Sequence, residues 1–153
     1  MVADAPLLLA LGVRRGRIAA LLLAGETIEG WISSNWGGRS PENAAAKLKD
    51  WIAIYTPDIV VSENPDTTSK GARHTALLQS LARAGEDADV LNLLVVRERS
   101  YTNLYEEAEA LVTRFPALEP KRAKKPRIWE GEVRSLIYFE ALALALQVID
   151  RKA

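Results

Sequence analysis

Apolar and polar positions alternate in blocks along the first third of the chain. Leu7–Val13 and Arg17–Leu23 are apolar runs on either side of Arg14-Arg15-Gly16, where the glycine suits a tight hairpin. Ala24-Gly25-Glu26 makes a second turn, and Thr27–Ser33 a more polar third strand. These three segments predict an antiparallel meander. The pattern then changes period. Ser40-Pro41 is a capping residue followed by proline at the first helical position, and Leu48, Trp51, Ile52 and Tyr55 form an apolar stripe that ends at Pro57.

Ile59–Val61 is short and wholly apolar, as in a strand buried within a parallel sheet. A second helix is expected from Thr68 or Ser69 to Gly85, carrying Leu77, Leu78 and Leu81, before a fifth strand over Val90–Val96. Asn103 with Glu106 has the capping-box spacing, and Leu104, Ala108, Leu111, Val112 and Phe115 supply an apolar face that Pro116 closes. Ala117–Arg127 reads as a basic, flexible connector, and a long last helix as running from Gly131 to Ile149. The order β-β-β-α-β-α-β-α-α predicts an α/β domain. Its mixed five-stranded sheet joins a three-strand antiparallel meander to two parallel strands, with helices on both faces.

Size and composition narrow the class. A chain of 153 residues buries roughly 68–70% of its unfolded surface, enough for one core, so residues 1–153 are expected to form a single domain. No cysteine is present, which excludes disulfides and thiolate metal sites. The apolar run Leu7–Leu11 is too short for a leader or a membrane span, and a cytoplasmic protein is the simplest expectation. Twenty basic and twenty acidic residues cancel, so a uniformly basic nucleic-acid binder is excluded. The basic residues are nevertheless clustered: Arg14, Arg15 and Arg17; Arg97 and Arg99; and Lys121, Arg122, Lys124, Lys125 and Arg127.

Two carboxylates stand out. Glu63 follows Ile59-Val60-Val61-Ser62, at the carboxyl end of a central parallel strand, where open α/β sheets place their ligands. Glu140 is the one charge between Leu136 and Leu146, in line with Val133, Ile137 and Leu144 on the stripe expected to face the sheet. A carboxylate buried there must be protonated, paired with a base or bound to a metal. A strand-end acid and a last-helix acid are the donors that hard cations such as Mg²⁺ take for phosphodiester hydrolysis. His74, the lone histidine, is expected at the surface.

The element order, the strand ending Val-Val-Ser-Glu-Asn-Pro and the last helix with Phe-Glu-Ala-Leu-Ala-Leu-Ala resemble the RuvC-type Holliday-junction resolvases. Lys124–Glu130, ahead of that helix, is similar to the phage and bacterial branch of the family. The resemblance implies a ribonuclease-H-like fold, a homodimer acting on branched DNA, and acidic residues holding Mg²⁺ or Mn²⁺. It assigns Glu63 and Glu140 as catalytic and metal-binding residues. By the same resemblance, Arg14, Arg15, Arg17, Lys121, Arg122, Lys124, Lys125 and Arg127 would bind nucleic acid. The family's first-strand aspartate should fall within Leu9–Val13, with Gly12 as the best match, and a further last-helix acid or histidine should fall near Ile137; neither position is acidic here. Glu130, Glu132 and Asp66 are candidate replacements.

Two functions follow from the resemblance. One is a divergent, metal-dependent, structure-specific DNA endonuclease, which the retention of Glu140 in an apolar helix favours. The other is a pseudoenzyme that binds DNA or a protein partner through the same surface, which the missing first-strand acid favours. A nuclease-like RNA-processing protein of the same fold is a third reading, but the Ala-Leu-Ala-Leu-Ala ending matches the resolvases better.

Overall fold

The computed structural model describes residues 5–99, 101–123, 126 and 132–150. Strand β1 (Leu7–Arg14) turns through Arg15-Gly16 into β2 (Arg17–Ala24), and β3 (Thr27–Ser34) follows. Arg15 and Gly16 both have positive φ, 50° and 71°, which is the backbone that lets a two-residue turn follow the strand twist. Helix α1 spans Pro41–Tyr55, with the Ser40 hydroxyl accepting the Asn43 amide at 3.1 Å. Then come β4 (Ile59–Glu63), α2 (Ala72–Asp87), β5 (Leu91–Val95), α3 (Leu104–Arg114) and α4 (Leu136–Ile149). The predicted order holds throughout.

Four boundaries move, the largest at the last helix: α4 begins at Leu136, and residues 132–135, expected to be helical, lead into it as a turn. Glu63 is the last residue of β4, opposite Val95, and not the first residue after the strand. Helix α2 starts at Ala72 because Asn64–Lys70 form side-chain-supported turns, and it runs through Gly85. The start of the expected flexible connector is a 3-10 turn, Pro116–Lys121, anchored by Leu118 and Ala123, which are 0% and 1% exposed.

The sheet order is β3-β2-β1-β4-β5, with β1–β2 and β2–β3 antiparallel and β1–β4 and β4–β5 parallel. Strand β1 is therefore central, and α1 and α2 cover one face while α3 and α4 cover the other. Every residue of α4 from Leu136 to Leu146 is buried, which is why this helix reads as apolar all round. Close approach to β1 requires Gly12: a Cβ there would lie 2.5 Å from the Ile137 carbonyl oxygen.

Candidate functional site

Strand alternation decides which side chains meet α4. On β1, Leu8 and Ala10 face the α3–α4 core, and Leu9, Leu11 and Val13 face α1 and α2. The same count of two carries the α4-facing row to Gly12 and Arg14. On β2, Leu21 and Leu23 define that row, which begins at Arg17; on β4, Val61 leads to Glu63; on β5, Val95 leads on to Arg97. Four rows thus end on the α4 face of the sheet, with three arginines and one glutamate at their ends, and two of those arginines, Arg14 and Arg97, reach Glu140.

Glu140 is 1% exposed and three cations surround it. Arg97 donates from Nε to its Oε1 at 3.1 Å, Lys70 Nζ lies 3.9 Å from the same oxygen, and Arg14 Nη1 lies 3.9 Å from Oε2. Arg97 also binds the Glu107 carboxylate on α3 through both terminal nitrogens. Burial alone would raise the Glu140 pKa, but Lys70, Arg97 and Arg14 together outweigh it and hold the carboxyl below its ordinary value. Burial lowers Lys70 despite the pull of Glu140 and Glu63. Arg97 is raised: Glu107 and Glu140 together exceed the cost of its burial. This carboxylate is ionised and neutralised by the protein's own bases.

That environment does not fit a hard divalent cation. Among the described residues no group of three or more carboxylates or histidines is arranged to hold a metal ion. The buried polar atoms without hydrogen-bond partners include, at this site, the acceptor Glu140 Oε2 and two cationic donors, Lys70 Nζ and Arg14 Nε. A dication bound to this carboxylate would face the same three positive charges that neutralise it now. Where an acid was sought at Gly12, the strand presents no side chain; the residue of β1 that reaches Glu140 is Arg14, two positions on. The signal was in the sequence, because Arg14 is the next residue on the inward row.

The other predicted residues divide. Arg14 and Arg15 both pair with Glu132, whose own burial is outweighed by these arginines so that its pKa falls. Glu132 therefore holds arginines and is no replacement metal ligand, while Asp66 is exposed in the turn after Asn64. Arg17 is buried and donates to the Arg134 carbonyl. Lys121 lies over the Trp31 and Tyr138 rings at 5.7 and 5.2 Å, and Arg122 pairs with Glu119 and Glu109. Lys124, Lys125, Arg127 and Glu130 lie outside the described residues. His74, expected at the surface, is half-buried; burial first, then Lys70, push its pKa down to about 4. The reading from sequence overlooked Lys70 and Arg134 altogether, and grouped Arg97 only as surface charge.

No family model matches the sequence, and no curated protein does. Solved structures do. The fowlpox virus Holliday junction resolvase superposes with a TM-score of 0.61 at 10% identity, over 94% of this chain and 98% of that one. The fowlpox resolvase in complex with its substrate Holliday junction DNA gives 0.59 at 7% identity, over 93% and 98%. Thermus thermophilus RuvC gives 0.58 at 14% identity, over 96% and 98%. With a meander, two parallel strands and helices on both faces shared over nearly the full chain, the fold is the ribonuclease-H-like fold of the RuvC-like Holliday-junction resolvases.

Proposed function

We propose that this protein binds branched DNA on a RuvC-like fold without hydrolysing it. The observation that carries the reading is the neutralisation of Glu140 by Arg97, Lys70 and Arg14. A carboxylate so paired is a poor metal ligand, and the cations that pair it are the residue types that contact phosphate. A neighbour of the same fold is a resolvase in complex with Holliday junction DNA, which makes a four-way junction the first ligand to try. Glu63, buried at the end of β4 on the same sheet face, favours the competing reading of a retained nuclease.

The test is a labelled four-way junction with the full chain, in EDTA and in Mg²⁺ or Mn²⁺, beside a linear duplex of equal length. Binding to the junction that is unchanged by EDTA, with no cleavage in either metal, is the expected result. Metal-dependent cleavage abolished by Glu140→Gln would establish the nuclease instead. Absence of binding to any DNA would leave the protein-partner reading. The mass of the complex in the same samples reports the homodimer that the resemblance implies.

A further inference from the structure

Between the β1–β2 hairpin and the start of α4 lies a cavity of about 260 Å³ lined by Arg14, Arg15, Arg17, Glu132, Arg134 and Ile137. Four guanidinium groups meet one carboxylate there. Glu132 engages Arg14 and Arg15, and among the described residues neither Arg17 nor Arg134 forms an ion pair. Among the described residues Arg134 donates to the Asn35 side-chain oxygen at 3.1 Å, and Arg17 to the backbone carbonyl of residue 134. Arg14 Nε is buried with no hydrogen-bond partner.

Like charges gathered around a cavity are unfavourable without an anion between them, and arginine forks match the oxygens of a phosphate group. Burial first, and then the neighbouring Arg134, lower the Arg17 pKa against the weaker pull of Tyr138 and Glu132. Helix α4, 14 residues long, begins beside the cavity at Leu136, so its positive end adds to the same field. The cavity is too polar for an apolar ligand, and its charge excludes a cation.

We propose that this arginine-lined cavity binds a phosphate group, and that its occupant is a backbone phosphate of the nucleic-acid strand. The identity of that occupant rests on the DNA-binding reading above; the phosphate chemistry of the cavity does not. The site is separate from Glu140 but shares Arg14 with it, so a strand held here would pass the charged centre at the ends of β1 and β4.

Arg15 and Arg134 are exposed, so Arg15→Gln/Arg134→Gln keeps the fold and removes two of the four charges. Junction binding is measured in EDTA across a salt series, with Lys49→Gln on the far face of α1 as a charge control. Loss of one phosphate contact lowers the slope of log K against log salt by about 0.9, and the control leaves it unchanged. In parallel, inorganic phosphate is titrated into the DNA-free protein and followed by ³¹P line broadening. Broadening in the wild type that the double variant loses supports the cavity. A wild-type slope in the double variant, or broadening that it retains, overturns the proposal. If the wild type binds no DNA, the DNA reading fails by itself, and the phosphate titration alone decides whether the cavity is an anion site.

Discussion

Replacing Glu140 by glutamine should destabilise the protein, and the sign of that change separates a structural ion cluster from a metal centre. Removing the charge leaves Arg97, Lys70 and Arg14 facing one another across a buried site. At 3.1 and 3.9 Å, with an effective dielectric of about 20, each attraction is worth roughly 4–5 kcal/mol before desolvation is counted. Burial of the ions takes back most of that, and removing one partner of a buried pair typically costs about 3–5 kcal/mol net. Two features put this case at the lower end. Arg97 keeps Glu107, and glutamine keeps an oxygen for the Arg97 Nε. The expected loss is about 2–3 kcal/mol, or a fall of roughly 1–2 M in the urea midpoint at neutral pH. Adding Lys70→Met should restore part of it, with a coupling of at least about 0.5 kcal/mol in the double-mutant cycle. In a cluster of carboxylates awaiting metal the like charges repel, and deleting one stabilises the apo-protein. A midpoint that is unchanged or raised in Glu140→Gln would refute the structural reading.

Two further perturbations test the surroundings of this site. His74 titrates near 4 in the fold against 6.5 as its ordinary value, so between those values the unfolded chain binds a proton that the folded one does not. Stability therefore rises with pH over that window and is lost as pH falls from 6.5 to 4, by about 1–2 kcal/mol once the half-exposed ring is allowed for. Urea midpoints from pH 7 to 4 should show this limb in the wild type and not in His74→Gln; identical curves would mean that the ring is solvated. Gly12→Ala places a methyl 2.5 Å from the Ile137 carbonyl, so α4 must shift off β1. An overpacking loss of about 1–3 kcal/mol is expected by thermal unfolding, and a neutral result would show that α4 is not seated there.

The fold was legible because its signals are local. Apolar runs separated by glycine and proline, helical stripes, and the Ser40-Pro41 and Asn103 caps give the strands and the α-helices of the described residues. Boundaries failed where side chains, not propensity, set the backbone. Asn64 and Thr68 build turns that delay α2 to Ala72, and Leu118 anchors a segment whose lysines and arginines suggested a loose connector. The candidate site was legible in half. Glu140 announced itself as a charge inside an apolar helix, and burial with base pairing was one of the outcomes that its position required. Its partners were hidden because they come from three separate elements: the end of β1, the turn before α2 and the segment after β5. Only the sheet order, with β1 between β2 and β4, brings these ends together.

The same geometry explains how side chains alone can hold an acid at this place. The resemblance implies an acid near Gly12, towards the end of the first strand, and Mg²⁺ to balance the carboxylates. Here that strand end carries Arg14, and Lys70 and Arg97 close on Glu140 from two other elements. The balance of charge at the site is thus met by side chains instead of ions. Once Arg97 ties Glu140 to Glu107 on α3, the carboxylate links α4 to the helix packed beside it, and losing it exacts a cost in stability whatever the catalytic outcome. Retention of Glu140 is therefore no argument for hydrolysis by itself. Function on a shared fold is set by the side chains at its site, and at this site Glu140 is held by Arg97, Lys70 and Arg14.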